Sequence, residues 1–251
     1  FAKALLFVAV ALLSLAFGIG ANTAIFSLTD QILMRSLPVK KPEQLALLSA
    51  VGRHYGSNQG WNRISYPMYQ DFRDHNTAFS GMFCFREVDM SLSFRGRTER
   101  VAGEVVSGNY FPVLGVGAAL GRLITANDDK FQGAHPVAVL SYGFWQTRFA
   151  GDPGVIGQKL TINGYPYTII GVSQEGFAGT DPSYARQIRV PMMMAGKLGG
   201  YMDLNDRRSR WLTAFGRLKP GWDVQRAKAS LQKRQPKVFV SARHGLSLEY
   251  G

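Results

Sequence analysis

Between Lys3 and Asp30 the sequence reads ALLFVAVALLSLAFGIGANTAIFSLT, and no residue in the run carries a charge. At about 1.5 Å of rise per residue, such a helix exceeds the roughly 20 residues that cross a bilayer core. A cleaved signal peptide has an apolar region of only about 7–15 residues, which this run outlasts. The same unbroken apolar length argues against a buried helix of a water-soluble core. The expectation is therefore an α+β protein with one N-terminal transmembrane helix within residues 1–36.

The two halves of this segment differ. Ala4 to Phe17 is apolar on all faces apart from Ser14, as a lipid-exposed helix should be. Small or polar residues then cluster: Gly18, Gly20, Ala21, Asn22, Thr23, Ala24 and Ser27. In a membrane such residues let helices approach closely and hydrogen-bond across the contact. Gly18, Gly20, Asn22 and Thr23 are thus candidate helix-packing residues, and the span reads as one member of a bundle.

Flanking charge leaves the orientation open. Arg35, Lys40 and Lys41 follow the span and only Lys3 precedes it, which alone would put the downstream side in the cytoplasm. That rule loses force when a long domain is translocated. The first residue is Phe1 rather than Met, so the chain is expected to be a piece of a longer one.

The formal net charge is +12, which raises the question of a nucleic-acid partner. Its distribution argues against one. The tightest basic clusters are Arg95-Gly96-Arg97-Thr98-Glu99-Arg100 and Asp206-Arg207-Arg208-Ser209-Arg210, and both read as polar loops or strand ends. A single cysteine, Cys84, excludes an intrachain disulfide and a thiolate zinc cluster.

Beyond Pro38 and Pro42 the pattern turns to mixed elements. Gln44–Val51 reads as a short strand, and Ser65–Asn76 as a helix with Tyr66, Tyr69 and Phe72 on one face. Met82–Phe94 and Arg100–Val106 alternate around Gly96 as a hairpin. Pro136–Leu140 predicts a buried strand leading into a helix over Tyr142–Phe149, with Tyr142, Trp145 and Phe149 sharing one helical face. Asn163-Gly164 predicts a tight turn inside a hairpin over Lys159–Val172. Trp211–Leu218 reads as a strand, Asp223 as the cap of a helix carrying Val224, Ala227 and Leu231, and Val238–Val240 as a last strand.

Motifs for chemistry are lures. Gly115-Val116-Gly117-Ala118-Ala119-Leu120-Gly121 resembles a dinucleotide loop with the last glycine displaced by one, and it follows no strand, so a turn is expected. His54, His75, His135 and His244 show no i, i+4 pair. Asp128-Asp129, preceded by Asn127, lacks the glycine and distal glutamate of a calcium loop and reads as a solvated turn. Cys84 lies in a strand pattern away from any His, and no Gly-x-Ser-x-Gly elbow occurs. Tyr66, Tyr69, Phe111, Trp145 and Phe149 read as core. These residues nominate no catalytic, cofactor-binding or metal site.

Read as ordered text, the chain resembles the MacB-like periplasmic core domain of ABC-type permeases, in the FtsX-related superfamily. The similar stretches are Leu15–Pro38, Ser65–Met82, Val105–Asp129, Val137–Val172 and Leu212–Gly221, with Ser241–Ser247 like the approach to a next membrane helix. GANTAIFSLTD is similar to the subgroup of duplicated permeases without a fused ATPase. The resemblance implies a bacterial inner-membrane protein with its large domain in the periplasm or outside the cell. It implies a transmembrane helix at 1–36, a porter-like α/β part at 37–106 and 209–251, and an inserted mixed subdomain at 107–208. It also implies a homodimer or pseudo-dimer, a cytoplasmic ABC ATPase that binds the ATP this chain does not, and a periplasmic adaptor. ATP-driven motion of the membrane helices would then move a substrate or partner outside. Against this stands a singly anchored periplasmic binding or adaptor module. The segment between Leu231 and Ser241 is shorter than the family pattern, which puts the last porter strand in question.

Overall fold

Turns and caps written in the sequence fix most element boundaries. The computed structural model describes residues 38–50, 55–60, 62–181, 184–200, 202–233 and 238–242. The apolar segment with Gly18, Gly20, Asn22 and Thr23 lies outside them. Among the described residues, no helix is long and apolar enough to cross a membrane.

Ser65 caps α1 (Tyr66–His75) by accepting the Met68 N–H, with Pro67 in the first turn, where its missing donor costs nothing. β2 (Phe79–Phe94) and β3 (Arg97–Val106) form a long hairpin around Arg95 and Gly96, both at positive φ. Asn163 and Gly164, also at positive φ, join β6 (Lys159–Ile162) to β7 (Tyr165–Ser173) in the turn that this dipeptide predicts. Asp223 caps α5 (Val224–Gln232) by accepting the Arg226 N–H. The remaining elements are β1 (Leu45–Ala50), α2 (Tyr110–Leu114), β4 (Ala118–Gly121), β5 (Val137–Leu140), α3 (Tyr142–Phe149), β8 (Ile188–Pro191), α4 (Ala195–Leu198), β9 (Thr213–Leu218) and β10 (Val238–Ala242).

Among the described residues, ten strands join one sheet of order β10-β1-β9-β2-β3-β8-β5-β7-β4, with β6 bridging β2 and β7. From β10 to β3 every pairing is antiparallel. The sheet then passes to the Ile188–Pro191 strand through a parallel contact, Gly103–Val106 against Ile188–Pro191. β10 is present despite the short segment before it, and closes the edge against β1.

Both faces of the sheet are covered, so β1 is a continuous apolar run rather than an alternating one. One face packs Ala46, Leu48, Met82, Cys84 and Trp211 under Tyr66, Tyr69 and Phe72 of α1. The other packs Leu45, Leu47, Phe83, Phe85 and Phe215 under Tyr110, Phe111 and Leu114 of α2. There the Phe83 ring stacks on Phe215 at 5.6 Å and meets Tyr110 edge-on at 5.2 Å.

Three expectations need correction. In α3 the buried aromatics are Phe144 and Phe149, whereas Tyr142 and Trp145 are half-buried. Trp145 stays at the boundary because its indole N–H donates to the Asp152 carbonyl, 2.9 Å away. The Asp206–Arg210 stretch is not wholly a solvated loop: Ser209 and Arg210 are buried, and Arg210 Nη1 donates to the Ala50 carbonyl. Asp128 is buried and Asp129 largely so, with consequences described next. The Gly-rich stretch is no phosphate loop either: Gly115 ends α2 in a left-handed conformation, and Ala118–Gly121 pairs with β7.

Candidate functional site

The parallel contact between β3 and β8 carries a buried row of charge. Glu104 stands opposite Glu87 across the hairpin and opposite Arg189 across the parallel pair. Arg189 is 0 % exposed and Glu104 2 %, and Arg189 Nε donates to Glu104 Oε2 at 2.8 Å. The Tyr110 hydroxyl donates to the same oxygen at 3.1 Å, and Arg189 Nη2 donates to the Ala178 carbonyl at 2.9 Å. The guanidinium lies 4.8 Å from the centre of the Phe177 ring. At the open end of the row, Arg63 pairs with Glu87 at 3.2 Å and also donates to the Thr213 hydroxyl. Burial pushes the Glu104 carboxyl up, and the neighbouring Arg189 charge pulls against that shift.

The loop over this pair needs a glycine. Gly179 has φ +133°, and a Cβ there would stand 3.2 Å from Arg189 Nη2 and 3.4 Å from Glu104 Oε1. Gly179→Ala is expected to lower stability by about 1–2 kcal/mol through backbone strain and crowding of the ion pair. A urea midpoint equal to wild type would contradict that expectation.

A second knot joins three further segments. Asp128 takes both nitrogens of the Arg122 fork, at 2.7 and 2.8 Å, and accepts the N–H and hydroxyl of Thr125. Burial opposes its ionisation, but Arg122 and Thr125 outweigh this and hold the carboxyl below the usual range. Asp129 points the other way: Oδ2 accepts the Gly108 N–H at 2.9 Å and Oδ1 the Met193 N–H at 2.8 Å. Burial pushes its carboxyl up to about 6, against the pull of those two N–H groups and of Arg73.

Beside this knot lies an open cleft of about 440 Å³, lined by Tyr66, Gln70 and Arg73 of α1 and by Asp129, Phe131 and Met193. Phe131 is 68 % exposed at its rim. No three His, Cys, Asp or Glu side chains gather to hold a metal among the described residues. Cys84 is buried, and burial pushes its thiol up, away from the thiolate. His75 lies at the end of α1 with Nδ1 against the Asp71 carbonyl. The arrangement fastens strands and loops to one another. The sequence reading missed Glu104, Arg189 and the inward role of Asp129; the available signal was a lone charge inside each of the apolar runs VAGEVV and IRVP.

Known proteins resemble this chain in sequence and in fold. Residues 8–234 match the model of the MacB-like periplasmic core domain. The macrolide export ATP-binding/permease protein MacB of Shigella dysenteriae serotype 1 is 27% identical over 163 residues, 64% of this chain and 21% of its own length. Its counterpart in Escherichia coli K12 gives the same identity over 64% of this chain and 22% of its own length. The chain thus spans about a fifth of the curated relatives it matches. Among solved structures, the periplasmic region of MacB from Actinobacillus actinomycetemcomitans superposes with a TM-score of 0.58 at 15% identity, covering 79% of this chain and 87% of that one. The extracellular domain of the noncanonic ABC-type transporter YknZ from Gram-positive bacteria gives 0.57 at 13% identity, covering 78% and 99%. At these identities the likeness shows a shared mixed α/β fold.

Proposed function

We propose, from the premise that this chain belongs to the MacB-like periplasmic core domain family, that it is the first membrane span and extracytoplasmic domain of an ABC-type permease. The observation that carries this reading is the extent of the family match, which runs from residue 8, inside the apolar segment, to residue 234. In this reading residues 1–36 hold a membrane helix of the bacterial inner membrane. Residues 37–106 and 209–251 make a porter-like part, and 107–208 an inserted subdomain. A separate cytoplasmic ABC ATPase binds and hydrolyses ATP, two permease copies or a pseudo-dimer frame the path, and an adaptor docks outside. The continuous sheet supports a role in transmitting motion, because the Glu104–Arg189 pair links strands drawn from both parts.

Two measurements test it. Phe131→Cys, exposed on a chain whose own cysteine is buried, should react with a membrane-impermeant maleimide from outside cells whose outer envelope is permeabilised. Labelling only after lysis would overturn the orientation. The parent permease, reconstituted with its ATPase, should raise ATP hydrolysis. The open cleft beside α1 supports a second reading, a singly anchored binding or adaptor module, which predicts partner capture with no change in ATPase rate.

Gly18, Gly20, Asn22 and Thr23 act as packing residues in the proposed bundle. Gly20→Leu is expected to abolish co-purification with the other permease components while the chain still inserts, because a bulky side chain blocks close helix approach. Wild-type yield of the complex from that variant would remove the packing role.

A further inference from the structure

The cleft beside α1 has a lining that discriminates among ligands. Its volume of about 440 Å³ falls within the roughly 300–1,000 Å³ of small-molecule sites. Tyr66, Gln70 and Arg73 stand at i, i+4 and i+7, so one face of α1 forms a wall. The segment after Asp129 adds Lys130, Phe131 and Gln132, and the buried Met193 and Leu204 add apolar surface.

This lining is fastened in place. The Gly133 N–H donates to the Met193 carbonyl at 2.8 Å, and Asp129 accepts the Met193 N–H at 2.8 Å, so Phe131 sits between two anchored points. Next to Leu204, the Asn205 N–H donates to Asp203 Oδ1 at 2.7 Å, and the Trp211 indole N–H donates to the Asp203 carbonyl at 3.0 Å. A site held in this way loses little freedom when a ligand enters.

Charge along the lining is balanced. Arg73 donates from two nitrogens to Asp74, at 2.7 and 3.0 Å, and Lys130 follows Asp129 in the chain. Neither sign is in excess, so the lining favours a neutral ligand over an ion. What remains is amide: the side chains of Gln70, Gln132 and Asn205 make no hydrogen bond to another described residue. Each amide presents donors and an acceptor in one plane, which suits neighbouring hydroxyls of a ring. Phe131, 68 % exposed, offers an aromatic face beside them. An extended peptide is less well served. Every lining residue lies on α1 or in a turn, so no strand edge borders the cleft, and the Gly108 and Met193 N–H groups are already engaged by Asp129.

We propose that this cleft binds a neutral carbohydrate, a mono- or disaccharide unit whose apolar ring face rests on Phe131 and whose hydroxyls pair with the amides of Gln70, Gln132 and Asn205. The inference rests on the reading of the cleft as a binding site.

The test places the full chain in phosphatidylcholine nanodiscs, which carry no sugar, and measures saturation-transfer NMR. The probes are maltose, cellobiose and chitobiose, with N-acetylated, amidated trialanine and inorganic phosphate beside them. At least one disaccharide should bind with a Kd on the order of 1 mM. Phe131→Ala should weaken that binding about fivefold, and Gln70→Ala with Gln132→Ala about tenfold. Phe131 and Gln132 are exposed, so truncating them leaves the fold intact. Tyr55→Ala removes an aromatic ring that is 82 % exposed and outside the lining, and should leave binding unchanged. A disaccharide held equally well by every variant would lie elsewhere, and the assignment would fall. Trialanine or phosphate bound in place of any disaccharide, and lost in Phe131→Ala, would overturn the carbohydrate class and keep the cleft as a site. Silence from every probe at about 20 mM would sink the cleft reading and this inference together.

Discussion

Arg189→Met is expected to destabilise the domain by about 3–5 kcal/mol, because it strands the Glu104 carboxylate in a dry interior. Glu104 is 2 % exposed, and its remaining polar contact would be the Tyr110 hydroxyl. The methionine fills much of the arginine's volume, so little of the loss comes from a cavity. Pairing it with Glu104→Leu should recover most of the stability, since a buried ion pair gains little over a well-packed apolar one. Urea midpoints of wild type, the single and the double variants decide the matter. A single variant within about 1 kcal/mol of wild type would mean that water reaches Glu104. If the double variant is as stable as wild type yet its parent permease no longer stimulates an ATPase, the pair serves coupling as well as folding.

Local features of this fold were legible and long-range ones were not, for a physical reason. Asn163-Gly164, the Ser65 and Asp223 caps and the alternation around Gly96 act over a few residues, and the structure has each in place. β8 went unseen because it is four residues long, holds Arg189 and Pro191, and gains its partners only from β5 and from β3, whose Glu104 stands 85 residues earlier. A charged residue in such a strand makes sense only once its counter-charge is known. Asp128-Asp129 misled in the same way. A carboxylate pair in a turn normally faces water; the donors that turn Asp129 inward are the Gly108 N–H, 21 residues away, and the Met193 N–H, 64 residues away, whereas Asp128 is held by Thr125 and Arg122, three and six residues away. In α3 Phe149 is buried as expected, while Trp145 is only half-buried and Phe144 takes the inner place, since an eight-residue helix turns too little to settle its face by periodicity.

Lowering the pH from about 7.5 to 4.5 should stabilise wild type relative to Asp129→Asn, by about 2 kcal/mol. Asp129 has its carboxyl raised from 3.8 to about 6, chiefly by burial. The folded state therefore holds this proton where the unfolded state has released it. Its contribution to stability is fully present below about 3.8 and is lost as pH rises through about 6. The groups facing it are Arg73 and Tyr66 from α1 and Cys84 from β2, with the Gly108 and Met193 N–H groups as direct donors. Of these, only Asp129 itself changes charge across that window. Asparagine is neutral throughout, so the difference between the two proteins isolates the carboxyl even while Asp74 and Asp128, both held below the usual range, lose their own contribution in acid. Urea unfolding of both proteins at several pH values reads it out. A difference that is flat, or that grows in the opposite direction, would show that Asp129 is solvated in the folded protein. A difference of the expected sign would mean that at neutral pH the ionised carboxylate favours release of the Gly108–Asp129–Met193 knot.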